Sequence, residues 1–259
     1  MKAIVTTAGR TSEAYIEKAK EIAKELRIPY VNRQKKSVSK LHQEQNAHLL
    51  VVTKDRLELY VYGSSDPFFF HPNSAAFRMK RLLKGEQDLF LEAVELEKGD
   101  HFLDTTAGLC SDSIIASYEV GDMGVVDACE KDEMIAYVVK QGLQTYASEI
   151  IELQNSMRNI RIIHQDAVDY LKNADSNSYD VVYMDPMFEE LIEESSNFQV
   201  LREVGVHETL TEEWVEEAKR VARKRVVLKA HFRSPLFEKY GFQQLTRLTS
   251  KFHYGIIKL

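Results

Sequence analysis

The spacing of apolar positions changes several times along this chain, and each change marks an element. Lys2 to Thr7 is a β-branched run that predicts a strand. From Thr11 to Leu26, Ala14, Ile16, Ala19, Ile22, Ala23 and Leu26 fall on one stripe of a helix opened by Thr11 or Ser12. A short strand is expected near Ile28–Val31. The next stretch, Asn32 to Lys40, is polar and basic; it reads as a solvated loop, with Arg33, Lys35, Lys36 and Lys40 as contacts to a phosphate backbone in the alternative. His48–Thr53 and Arg56–Tyr62, joined at Lys54-Asp55, predict a hairpin. Residues 1–64 therefore read as a small α/β unit, with Gly63-Ser-Ser-Asp-Pro67 as its boundary and residues 65–259 as the main domain.

The main domain opens on Phe68, Phe69 and Phe70, read as core, and on a helix capped by Asn73 or Ser74 that carries Arg78, Lys80, Arg81 and Lys84. From Asp100 onward, strand and helix alternate. Strands are predicted at His101–Asp104, Gly124–Ala128, Ile160–His164, Asp180–Met184 and Arg225–Leu228. Helices are predicted at Ser111–Tyr118, Asp132–Tyr146, Ala167–Leu171 and Thr211–Lys224. The end departs from this rhythm: Gly241–Leu248 and Phe252–Leu259 are two strands with only a turn between them, which predicts an antiparallel pair. The pattern implies a mostly parallel sheet that binds ligands at the carboxyl ends of its strands, near the point where strand order reverses. The basic run Lys219, Arg220, Arg223, Lys224 and Arg225 follows Glu212, Glu213, Glu216 and Glu217, an order that the helix dipole favours without any nucleic acid.

Composition narrows the class. At 259 residues there is room for one large α/β domain or for an ordinary one with a smaller attachment. Without an apolar run near ~18 residues, and with an N-terminal segment unlike a signal peptide, the expected location is the cytoplasm. Cys110 and Cys129 are too few for a disulfide framework and read as reduced thiols, and no metal-ligand set is visible. A formal charge of −6 argues against bulk electrostatic binding to nucleic acid and leaves room for a local basic surface that steers RNA.

Two segments carry the chemistry, Asp104-Thr-Thr-Ala-Gly-Leu-Cys-Ser-Asp112 and Tyr183-Met-Asp-Pro-Met-Phe188, each directly after an apolar run. A nicotinamide site wants Gly-x-Gly-x-x-Gly after its first strand, and this chain has Gly108 alone there. The S-adenosylmethionine reading uses more residues. In it, Asp104 orients the methionine ammonium, while Thr106, Ala107, Gly108 and Asp112 belong to a turn that approaches the cofactor closely. Glu130, with Asp127 as second choice, accepts the ribose hydroxyls, and Asp166 accepts from the adenine amine. One acidic residue after a strand is usually a helix cap; three after successive strands, in this order, point to a cofactor. Asp185 and Pro186 then offer a carboxylate and a carbonyl to the hydrogens of a planar amine, with Met187 beside the substrate and Phe188 stacked on it. Lys229, His231 and Arg233, after the fifth strand, are candidate phosphate contacts.

On these residues, together with Arg225-Val-Val-Leu-Lys229, the chain resembles the class I methyltransferases, and within them the RsmJ family of 16S ribosomal RNA guanine-N2 methyltransferases, over roughly residues 66–259. The resemblance implies a seven-stranded sheet with helices on both faces, S-adenosylmethionine as cofactor, a guanine exocyclic amine as acceptor, and the small ribosomal subunit or its RNA as partner. Three departures stand out. Cys110 replaces a family glycine, Phe70-His-Pro-Asn-Ser-Ala-Ala76 replaces a glycine-rich segment, and the acidic Glu189-Glu-Leu-Ile-Glu-Glu194 replaces a lysine-rich loop. The acidic loop keeps two alternatives open: methylation of a protein carboxylate or small metabolite, and a protein that binds the cofactor without catalysis.

Overall fold

The computed structural model describes residues 2–186, 210–246 and 250–259. Two compact units emerge, one comprising residues up to His71 together with Tyr137–Tyr146, the other Pro72–Ala136 and the described residues from Ala147 onward.

In the first unit, β1 (Lys2–Thr7) is followed by α1 (Glu13–Glu25), α2 (Val38–Gln45), β2 (Ala47–Val52), β3 (Leu57–Tyr60) and β4 (Pro67–Phe68). The strands pair in that order, β1 parallel to β2 and the others antiparallel. The expected hairpin is β2–β3, and β4 adds an edge beyond the Gly63–Pro67 segment. Ala19, Ile22 and Ala23 are the buried face of α1, as the stripe predicts. Two expectations are corrected. The strand near Ile28–Val31 reduces to a single bridge between Val5 and Tyr30. The polar stretch is not loop throughout: Ser37 accepts a hydrogen bond from the Lys40 N–H at 3.1 Å and starts α2, which buries Leu41 against Ile4, Leu49 and Val51.

The second unit runs α3 (Asn73–Leu82), α4 (Leu89–Val94), β5 (His101–Asp104), α5 (Ser111–Val120), β6 (Val125–Glu130), α6 (Glu133–Thr145, its later residues in the first unit), α7 (Ile151–Arg158) and β7 (Ile160–His164). It continues through α8 (Ala167–Asn173), β8 (Tyr179–Met184), α9 (Glu212–Val221), β9 (Ala222–His231), α10 (Leu236–Lys239), β10 (Gln243–Leu245) and β11 (Phe252–Lys258). The seven strands lie in the order β10-β11-β9-β8-β5-β6-β7, and β11 alone runs against its neighbours. The chain winds from β5 outward through β6 to β7, then returns to lay β8 on the other side of β5. Strand order therefore reverses between β5 and β8, where such sheets bind ligands.

Both faces of the central strands are covered, so β8 is buried along its whole length. Val182, Val226 and Leu228 pack with Trp214, Val215 and Ala218 of α9. That helix is capped by Thr211, which accepts from the Trp214 N–H at 3.2 Å. It stops at Val221, shorter than expected, because Ala222 already pairs with Tyr179. The basic run thus spans a helix end and a strand start, and its members find local partners: Lys224 meets Asp100 at 2.7 Å, and Arg225 pairs with Glu95 and donates to the Ala93 carbonyl. No helix among the described residues is long and apolar enough to cross a membrane.

Candidate active site

The turn after β5 is tied down before any ligand arrives. Asp104 is 2% exposed, and its carboxylate accepts from the Thr106 N–H at 2.9 Å, the Thr106 hydroxyl at 3.1 Å and the Ser113 hydroxyl at 2.5 Å. Burial pushes its pKa up to about 6, with the Ser113 and Thr106 hydrogen bonds restraining the rise. Thr105 donates both its N–H, at 2.9 Å, and its hydroxyl, at 2.8 Å, to the Tyr183 carbonyl, and the Ala107 N–H reaches the Cys129 carbonyl at 3.0 Å. The turn is thereby clamped to β8 on one side and β6 on the other. Gly108 lies at φ +47°, and a Cβ there would meet only the Thr106 carbonyl oxygen, at 3.8 Å. Internal packing does not demand this glycine; it keeps the open face of the turn accessible to a ligand. Cys110 also sits in the left-handed region, at φ 57°, which explains why a glycine suits that position. Its thiol is buried and its pKa raised by that burial, so it is an inert packing group.

Behind the turn, charges of alternating sign form a chain. Asp88 caps α4 and receives Arg78 through two hydrogen bonds of 2.8 Å. Arg78 reaches Asp112 at 2.6 Å, Asp112 faces the Lys229 ammonium at 3.3 Å, and Lys229 donates to Asp185 at 2.7 Å. The Tyr183 hydroxyl donates to Asp112 at 2.8 Å. Burial alone would raise the Asp112 pKa, but Lys229 and Arg78 overcome it and hold the carboxyl well below the usual range. Burial likewise opposes the charge on Lys229, and Asp112 and Asp185 outweigh it, raising the lysine well above its ordinary value. Asp185 follows β8, and its N–H donates to the Thr106 hydroxyl at 2.8 Å. Thr106 therefore links the turn after β5 to the segment after β8.

At the neighbouring strand ends, Glu130 closes β6 and accepts from the Asp132 N–H at 2.9 Å. Asp127 lies within that strand, 1% exposed, and is held by Arg161 and by the Tyr179 hydroxyl at 2.5 Å. Between the two candidates for the ribose, Glu130 is the one at the carboxyl edge. Asp166 caps α8 through the Val168 and Asp169 N–H groups and meets Lys131 at 2.8 Å. The open turn, the half-buried Glu130 and Asp166 lie at three successive strand ends, a donor set that suits S-adenosylmethionine: one acid for the ribose, one for the adenine amine, and backbone N–H groups for the methionine end. Among the described residues, no group of three or more His, Cys, Asp or Glu side chains could hold a metal ion.

Met187 and Phe188, and the acidic segment after them, lie outside the described residues. His231 ends β9 and Arg233 lies in the turn beyond it, their side chains around Phe232: the His231 ring lies 4.6 Å from the Phe232 ring, and the Arg233 guanidinium 5.0 Å from its centroid. Sequence reasoning missed Arg78, Ser113 and the Tyr183 hydroxyl as parts of the site. The available signal was Arg78, a cation between the exposed Phe77 and the buried Met79 of α3; nothing in the spacing named its partners.

A seven-stranded sheet with one reversed strand, a short turn after β5 and an Asp-Pro after β8 define a class I methyltransferase. The family described as "Putative SAM-dependent methyltransferase" matches residues 33–252, and the chain belongs to it; the family's cofactor is S-adenosylmethionine. The chain is 46% identical over 255 residues to the uncharacterized protein YpiP of Bacillus subtilis strain 168, covering 98% of this chain and 99% of that one. It is 28% identical over 199 residues to ribosomal RNA small subunit methyltransferase J of Buchnera aphidicola, covering 73% and 77%. A solved SAM-dependent methyltransferase from Neisseria gonorrhoeae shares the fold with a TM-score of 0.61 at 19% identity, over 99% of this chain and 96% of that one.

Proposed function

We propose that this methyltransferase acts on an exocyclic amine of an RNA base, with guanine N2 of small-subunit ribosomal RNA as the leading acceptor. The observation that carries the proposal is the fixation of Asp185: Thr106 holds its backbone and Lys229 its carboxylate, at the strand-order reversal and directly before Pro186. A planar amine is a poor nucleophile because its lone pair is delocalised into the ring. The Asp185 carboxylate and the Pro186 carbonyl accept its two hydrogens and turn the lone pair out of conjugation. S-adenosylmethionine supplies a methyl on a sulfonium that is already activated for transfer. Positioning is then the main task of the protein, a contribution of about 7–11 kcal/mol in favourable cases. No strong base is needed, since the amine nitrogen sheds its proton once it has become cationic. Glu130 and Asp166 serve the ribose and the adenine. The relative named as a ribosomal RNA small subunit methyltransferase supports the choice of RNA.

The test is transfer of labelled methyl from S-adenosylmethionine into fractionated extract of the host lacking this protein. Label is expected in small-subunit RNA; label confined to protein or metabolites would replace RNA with the alternative acceptors. Asp185→Ala is expected to abolish turnover and leave cofactor affinity within a few-fold, and Glu130→Ala to weaken cofactor binding first. Collapse of cofactor affinity in Asp185→Ala would show that the two sites are misassigned.

A further inference from the structure

Most cations of the second unit are already paired. Arg78, Lys131, Arg161, Lys172, Lys219, Arg220, Lys224, Arg225 and Lys229 each meet a carboxylate of the same chain. The outer face of α3 is different. Phe77 is 64% exposed, the largest exposure of any aromatic side chain among the described residues. Lys80 and Arg81 follow it at helical spacings of three and four and share one stripe with it, and Lys84 lies in the turn just past the helix end; all are exposed. Lys80 and Lys84 have no carboxylate partner among the described residues. The Arg81 guanidinium lies 5.9 Å from the Phe77 ring centroid and pairs with Glu86 at 2.6 Å, both partners about half exposed. A pair this exposed is worth little and gives way easily to a phosphate.

The flank of this helix beside the stripe reaches the candidate active site, because Arg78, next to Phe77 in sequence, binds Asp112 at 2.6 Å, the same carboxylate that Lys229 meets. The stripe is therefore held in fixed relation to Asp185. An exposed aromatic flanked by unpaired cations suits one occupant in particular: a base stacks on the ring while adjoining phosphates meet the ammonium groups. A protein partner would favour an apolar centre with few charges, the reverse of this arrangement. In a chain of net charge −6, such a local stripe also supplies the attraction that the whole molecule lacks.

We infer that the Phe77–Lys80–Arg81 stripe of α3, together with Lys84 in the turn that follows, is the surface that docks the RNA strand carrying the acceptor base, an inference that rests on the RNA reading above. The test measures binding of a fluorescein-labelled RNA hairpin, with guanines in its loop, across a salt series, beside methyl transfer to small-subunit RNA and cofactor affinity. The Lys80→Gln, Lys84→Gln double variant is expected to bind roughly ten-fold more weakly, with the salt slope reduced by about 1.4, two phosphate contacts at ~0.7 each on a single strand. Phe77→Ala is expected to weaken binding about five-fold or more with the slope unchanged. Cofactor affinity stays at the wild-type value in both, and Lys80→Arg, Lys84→Arg restores the slope. If wild-type protein binds and methylates RNA while the variants match it in affinity and slope, the docking surface is wrong and the RNA reading stands. If wild-type protein neither binds nor methylates RNA, both fall together.

Discussion

Replacing Lys229 with methionine removes the cation that Asp112 and Asp185 both face, at 3.3 Å and 2.7 Å, and keeps much of the aliphatic volume. Breaking a buried ion pair costs about 3–5 kcal/mol. Here the loss lies at or below the bottom of that range, because the lysine side chain is 24% exposed and Asp112 keeps Arg78 and the Tyr183 hydroxyl. An expected loss of about 2–3 kcal/mol at neutral pH corresponds to a fall in Tm of roughly 5–10 °C for a chain of this size. Urea unfolding followed by fluorescence of Trp214, the single tryptophan and buried in the second unit, reads it directly.

The pH dependence carries the sharper test. The folded-state pKa of Lys229 is raised, so its stabilisation is fully present below the ordinary lysine value, ~10.4, and is lost as pH rises through the folded value. That of Asp112 is depressed, so its contribution is present above the ordinary value, ~3.9, and is lost as pH falls toward the folded one. The stability gap between wild type and Lys229→Met is therefore expected to be a plateau between about pH 4 and pH 10 that narrows on both sides. A gap that is absent at neutral pH, or constant into strong acid and base, would refute the charge chain as a structural element.

Two further outcomes follow from the turn after β5. Asp104 has its folded pKa raised to about 6, so the folded state holds the proton more tightly and stability rises as pH falls from 7 toward 4; relative to Asp104→Asn, the wild type should gain about 2 kcal/mol over that interval, at ~1.36 kcal/mol per pKa unit, and a constant difference in urea titrations would contradict this. Cys110→Gly relieves a left-handed conformation worth about 1–2 kcal/mol while losing a small buried side chain, so thermal unfolding should change little, whereas Cys110→Val, branched at the same φ of 57°, should lower Tm clearly.

Much of the sheet was legible because its strands are apolar, short and bounded by acids or glycine. His101–Asp104 and Ile160–His164 lie where periodicity puts them, and the reversed pair at the end was readable from two strands with no room for a crossover. Elements without a start signal were not legible. The Ile150 cap of α7 makes no side-chain hydrogen bond, and α2 hides its Ser37 cap within a basic stretch. The end of α9 was placed too late because helix and strand share residues of similar propensity, and pairing of Ala222 with Tyr179 decides between them. In the site, strand-end acids were visible as residues but their surroundings were not. Asp127 and Glu130 read alike in sequence, and only the register shows that one is inside the sheet and the other at its edge.

The same limit applies more strongly to Asp104 and Asp112, two acids of one motif whose environments drive them in opposite directions. Asp104 is buried among hydroxyls and a backbone N–H, with no cation among its hydrogen-bond partners in the described residues, and it shapes the turn. Asp112 is buried among two cations and a phenol, and it fixes Lys229, which in turn fixes Asp185. A motif read as a cofactor loop is thus also the scaffold that positions Asp185. Substitutions at Asp104 should act first on cofactor affinity, through the turn, and substitutions at Asp112 first on turnover, through Asp185, although both residues belong to the same nine-residue segment Asp104–Asp112. Measuring cofactor Kd and kcat separately in Asp104→Asn and Asp112→Asn decides the point, and the same ratio of effects in both variants would mean that the turn and the charge chain act as one unit.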